Sequence, residues 1–118
     1  MDKTELSRRT KAFALRVIRL AEALPRGRSG NAIAAQIVRS GTSVAANYRA
    51  SLRGRSRAEW ISKLNIVMEE ADETLFWLEL IEEGGLQKPA LIAALKQEAN
   101  ELVSIFTATL KSARRSKS

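Results

Sequence analysis

Five arginines, Arg39, Arg49, Arg53, Arg55 and Arg57, crowd into the stretch VRSGTSVAANYRASLRGRSR. Guanidinium forks bind phosphate oxygens bidentately, and a row spaced by helical turns can follow a nucleic-acid backbone. On a helical wheel Arg39, Arg49 and Arg53 fall roughly opposite the stripe that holds Ile37 and Val44, while Arg55 and Arg57 occupy the turn that follows. No aromatic residue interleaves with them on the exposed face, so base stacking is not indicated. Any binding to RNA or DNA would be electrostatic, salt-sensitive and tolerant of sequence. A solvated face, or arginines that pair with acidic residues across a subunit boundary, accounts for the same pattern.

The second group able to do chemistry is acidic. From Leu64 to Gln87 there is no Lys or Arg, and the run MEEADETLFWLELIEE supplies Glu69, Glu70, Asp72, Glu73, Glu79, Glu82 and Glu83. Carboxylates three apart on a helix, as in Glu69/Asp72 and Glu70/Glu73, share a face and offer oxygen ligands for Mg²⁺, often held together with substrate phosphates. This weakly resembles the helical nucleoside-triphosphate pyrophosphohydrolases. Those enzymes need a second acidic cluster on a facing helix, for which Glu98/Glu101 is the candidate. The plainer reading is an acidic surface that complements the basic helices, with no metal and no cofactor.

Histidine and cysteine are both absent, which removes the usual general base, the triad imidazole, thiolate ligands and disulfides. Di-iron bundles normally require histidine beside the carboxylates. The net charge of +7 is unevenly spread: residues 1–63 carry 14 Lys and Arg against 4 Asp and Glu, and residues 64–118 carry 6 against 9. A basic half of this size favours an anionic partner. The opening MDKTELSRRTKAFALRVIRL lacks the continuous apolar core of a secretory signal, and no apolar run approaches the roughly 20 residues of a membrane span. A cytoplasmic protein with no membrane partner is expected.

What positions these residues is a set of helices. Leu6, Phe13, Val17, Leu20 and Leu24 recur at helical steps, as do Ile33, Ile37, Val44 and Tyr48, then Ile61, Leu64, Met68, Ala71, Leu75 and Leu78, then Ile92, Leu95, Ala99, Leu102 and Phe106. Ser56 followed by Glu59 offers a capping box, Gly84-Gly85 a stop, and Pro89 a first-turn proline. The spacing predicts an all-α chain, one antiparallel up-and-down four-helix bundle over residues 1–118. Its helices fall at about 4–24, 29–53, 57–84 and 89–113, and a basic tail covers 111–118.

Two further features bear on packing. Ser40 and Gly41 lie on the core face of the second helix, where small residues admit a close neighbour or a bulky side chain such as Trp60 or Phe13. A helical glycine costs about 0.5–1 kcal/mol relative to alanine, so a packing gain is expected at Gly41; a hinge there is the alternative. Ile66, Phe76, Trp77 and Leu80 are placed opposite the Leu64–Leu75 seam, as a candidate face for self-association.

With these residues in hand, a resemblance can be stated. The order IVRSGTSVAANYRA, then RSRAEWISKLNIVMEEADETLFWLELIEEGGL, resembles the bacterial four-helix-bundle family that includes proteins encoded within intervening sequences of 23S ribosomal RNA genes. It is also similar to the accessory variability determinant of diversity-generating retroelements. The resemblance implies an all-α subunit of a homopentameric barrel with no assigned catalytic residues, and in the retroelement members binding to RNA and a reverse transcriptase. It places Ser40, Gly41, Ser43, Ala46 and Asn47 in a helix-packing signature. The combined expectation is a non-enzymatic, self-associating adaptor with a basic surface for RNA or DNA. A pure interaction scaffold is the alternative, and the magnesium pyrophosphohydrolase a remote one.

Overall fold

In the computed structural model, which describes residues 1–115, four helices follow one another: α1 (Lys3–Glu22), α2 (Arg28–Leu52), α3 (Arg57–Glu83) and α4 (Pro89–Arg115). They form an antiparallel up-and-down bundle, with no strand among the described residues. Its extents of 51 × 21 × 20 Å suit nearly aligned helices of 25–27 residues at about 1.5 Å per residue. α4 continues through Arg115, so the expected basic tail is helical at its start, and residues 116–118 lie outside the described part.

Helix ends are set by local chemistry. The Glu5 N–H donates to Asp2 Oδ1 at 2.8 Å, capping α1. Ser56 caps α3 by accepting from the Glu59 N–H at 3.1 Å, while Glu59 Oε1 reaches back to the Arg55 N–H at 3.3 Å rather than to that of Ser56. The box therefore closes one residue earlier than its usual form. At the end of α3 only Gly85 is left-handed, with φ +66, and Gly84 is still right-handed. The Leu86 N–H bonds the Ile81 carbonyl and the Gly85 N–H that of Glu82, a Schellman cap that turns the chain into α4.

The core stripes of α1, α2 and α4 are the ones the periodicity predicts, with Phe13, Val17, Ile37, Val44, Ile92, Leu102 and Phe106 wholly buried. Tyr48 and Phe106 meet across the bundle at a centroid distance of 5.6 Å. α3 is rotated from expectation. Its buried row is Leu64, Val67, Ala71, Thr74, Leu78 and Ile81, while Ile61, Met68 and Leu75 are half-buried flanks. α3 packs against both α2 and α4, and its buried arc centres between them. Thr74 can lie on that arc because its hydroxyl finds Ser40 Oγ and the Glu70 carbonyl, each at 2.8 Å, so no buried polar atom is stranded.

The small residues of α2 face inward as expected, but the neighbour they admit is Val17, not Trp60 or Phe13. A Cβ on Gly41 would stand 2.8–3.0 Å from three carbons of Val17. Gly41 is thus a notch for the α1 side chain, and no hinge is needed to explain it. Ser40 is buried beside it and donates to the Ile37 carbonyl at 3.3 Å. Asn47 is half-buried and donates to the Ser43 carbonyl at 3.0 Å, Ser43 is half-buried, and Ala46 is exposed.

Candidate nucleic-acid interface and association face

The antiparallel topology gathers the α2–α3 turn, the start of α1 and the end of α4 at one end of the rod. Arg53 closes α2, its N–H bonding the Ala50 carbonyl, and Arg49 sits one turn before it. Arg49, Arg53 and Arg55 are exposed, and none forms a salt bridge among the described residues. Lys111, Arg114 and Arg115 are exposed at the same end; Arg114 Nη2 donates to Asn65 Oδ1 at 3.0 Å. The acids there are Asp2, Glu5 and Glu59, of which Asp2 and Glu59 accept backbone N–H bonds.

The arginine row is therefore divided. Arg39 is drawn away from solvent anions by α3: Nη1 bonds Glu70 Oε1 at 3.2 Å, and Nη2 bonds Glu73. Hydrogen bonding, first to Glu73, holds its pKa above the ordinary arginine value. Arg57 donates to the Ala113 carbonyl, where the last carbonyls of a helix carry partial negative charge. Arg39 is thus paired within the chain and Arg57, though exposed, is bonded to a carbonyl, while Arg49, Arg53 and Arg55 have no salt-bridge partner among the described residues.

The acidic residues are also divided. Glu73 accepts from Trp77 Nε1 at 3.1 Å; this bond chiefly, and Arg39 beside it, lowers its pKa below the usual carboxylate value. Glu98 and Glu101 hold Arg9, with Arg9 Nε to Glu98 Oε2 and Arg9 Nη2 to Glu101 Oε1 both at 2.6 Å. The hydrogen bond to Glu98 is the main reason that the Arg9 pKa is raised. The sequence carries no local sign of this clamp, since its partners are 89 and 92 positions apart. Glu82 pairs with Lys96 at 2.6 Å. Among the described residues no group of three or more Asp, Glu, His or Cys side chains is placed to hold a metal ion.

The expected association face narrows. Trp77 and Ile66 are half-buried on the α2 side of α3, and Trp77 packs against the core through its apolar body while its N–H is satisfied by Glu73. Phe76 is 49% exposed and Leu80 37%. The Phe76 ring stands edge-on to Trp77 at 5.1 Å. No helix is long and apolar enough to cross a membrane among the described residues.

Fold and charge layout together define the class: an all-α four-helix protein, cationic at one end, with an acidic and partly apolar outer face on α3. Residues 2–108 match the family model of the 23S rRNA-intervening sequence protein. The chain belongs to that family. A crystal structure from Bacteroides thetaiotaomicron, described as a protein of unknown function from the S23 ribosomal protein family, is 31% identical. It superposes with a TM-score of 0.86, over 94% of this chain and 99% of that one. A search of curated proteins returns no match.

Proposed function

We propose that this protein is a non-enzymatic, self-associating adaptor of the cytoplasm that grips the sugar–phosphate backbone of RNA or DNA with its cationic end. The observation that supports it is the set of exposed, unbridged arginines Arg49, Arg53 and Arg55 on the same end as Lys111, Arg114 and Arg115. Arginine without a carboxylate partner is available to phosphate, and a cluster raises local anion concentration. The pyrophosphohydrolase reading has less to stand on, because Glu70 and Glu73 face Arg39 while Glu98 and Glu101 face Arg9. The proposal includes a homopentamer and a reverse-transcriptase partner, both supported by the family resemblance.

Titration into a labelled RNA at about 50 and 200 mM salt tests the adaptor reading. Binding is expected to weaken steeply with salt. Arg49→Glu, Arg53→Glu and Arg55→Glu together should abolish it; changed to Gln, they should reduce the log–log salt slope by about 2–3, since each phosphate contact contributes about 0.7–0.9. No binding at the lower salt overturns the nucleic-acid reading and leaves the pure interaction scaffold. Light scattering gives the subunit number, and a mass of one 13.0 kDa chain overturns self-association.

A further inference from the structure

Two exposed apolar patches lie on diagonally opposed helices. On α3, Phe76 and Leu80 are flanked by exposed Glu69, Asp72 and Glu83. On α1, Leu15 is 48% exposed and Ile18 36%, and they are flanked by exposed Arg8, Lys11 and Arg19, with Glu22 closing the row. None of these charged residues forms a salt bridge among the described residues. The charges that do pair inside the chain, such as Arg9, Arg39 and Lys96, lie on the sides of the helices that face neighbours. One patch is left cationic around two aliphatic residues, the other anionic around an aromatic and an aliphatic one.

α1 and α3 occupy diagonal corners of the bundle, with no pair of their Cα atoms within 8 Å, so the patches look outward on opposite sides and cannot meet within one chain. They lie at one level. Ile18 follows Val17, which fills the notch at Gly41; Ser40, next to that notch, is bonded to Thr74; and Phe76 follows Thr74 by two residues. α1 and α3 also run in the same direction. We infer that the α1 patch of one copy docks on the α3 patch of the next, side by side and head to tail. Leu15 and Ile18 then cover Phe76 and Leu80, and Arg8, Lys11 and Arg19 face Glu69, Asp72 and Glu83. Such a contact is heterologous: each copy offers two different faces rather than one self-complementary face. Complementary potentials of this kind fix register and exclude α1–α1 and α3–α3 pairing.

This inference rests on the self-association proposed above, and a mixing experiment separates the two. One variant carries Lys11→Glu and Leu15→Glu, the other Phe76→Arg and Leu80→Arg; all four positions are on the outside, and circular dichroism confirms the helical fold of each. Each variant alone should have the mass of a monomer at a concentration where the parent chain is assembled. An equimolar mixture should associate, because each variant retains the face that the other lacks. If either variant alone keeps the parent assembly, or if the mixture stays monomeric, the α1–α3 pairing is wrong while self-association stands. A monomeric parent chain overturns both.

Discussion

Substituting Gly41 tests the packing of α1 on α2 at a single atom. In Gly41→Ala the new carbon would stand 2.8 Å from Val17 Cγ1 and 3.0 Å from its Cβ and Cγ2, where about 3.5–4.0 Å is comfortable. Val17 is wholly buried, and a β-branched side chain in a helix has essentially one good χ1 rotamer. It cannot turn aside, so α1 and α2 must separate by some tenths of an ångström and loosen the core around Phe13 and Ile37. Overpacking of this kind costs about 1–3 kcal/mol, offset by about 0.5–1 kcal/mol from removing a mid-helix glycine. The net expectation is a loss of about 0.5–2 kcal/mol. In a Val17→Ala background both γ-methyls are gone and only the Cβ contact at 3.0 Å remains, so the cost of Gly41→Ala should shrink by about 0.5–1 kcal/mol, a coupling of the size expected for residues in contact. Urea unfolding followed by far-ultraviolet circular dichroism measures all four proteins, with an unchanged m-value required for the comparison. A Gly41→Ala variant more stable than the parent, or an equal effect in both backgrounds, would show that Val17 does not set the helix spacing.

Three further outcomes concern the ion pairs and the Trp77–Glu73 bond. Arg9→Gln removes the clamp between α1 and α4 and leaves Glu98, whose side chain is only 16% exposed, without its cation; a loss of about 1–2 kcal/mol is expected, most of it persisting in 0.5 M salt, whereas Arg39→Gln at its exposed site should change stability little. Because the pKa of Glu73 is lower folded than unfolded, its contribution is present above the unfolded value near 4.5 and is lost as pH falls through the folded value. Trp77→Phe removes the principal donor and should raise the Glu73 pKa in a carbon-detected NMR titration; an unmoved pKa would refute the role given to the indole.

The bundle could be read from the chain wherever one face of a helix is apolar and the rest polar. Leu6, Phe13, Val17 and Leu20 on α1, and Leu95, Ala99 and Leu102 on α4, recur at helical steps and outnumber the apolar residues of their outer faces, Leu15 and Ile18 on α1 and Leu91 on α4, so each stripe points to one direction. α3 carries apolar residues on nearly every side, and its buried arc is decided by which helices flank it. Thr74 takes a core place only because Ser40 stands opposite with an oxygen to bond, a fact of register between helices that no single-helix periodicity contains. The same limit explains the site. Arg39 looks like Arg49 and Arg53 along the sequence, yet one turn of α3 brings Glu70 and Glu73 to it and nothing comparable reaches the other two. Arg57 opens α3 where Ala113 returns from the far end of the chain, and Trp77 resembles an exposed anchor along the sequence although its body packs inward while its N–H bonds outward to Glu73.

The helices that pack most closely are those adjacent in sequence, and α1 meets α4 least of all the neighbouring pairs. The chain is thus a pleated row of three helical hairpins whose two ends share the core and are clamped by Arg9. Local contacts of this kind keep loop-closure entropy small, which places the domain among fast folders. They also give the protein a seam: the α1–α4 edge is held by the Arg9 clamp and is not closed by a chain turn, whereas every other edge is a hairpin. Amide exchange should therefore begin with α1 and α4 peeling apart while the α2–α3 hairpin, pinned by Ser40 and Thr74, exchanges last.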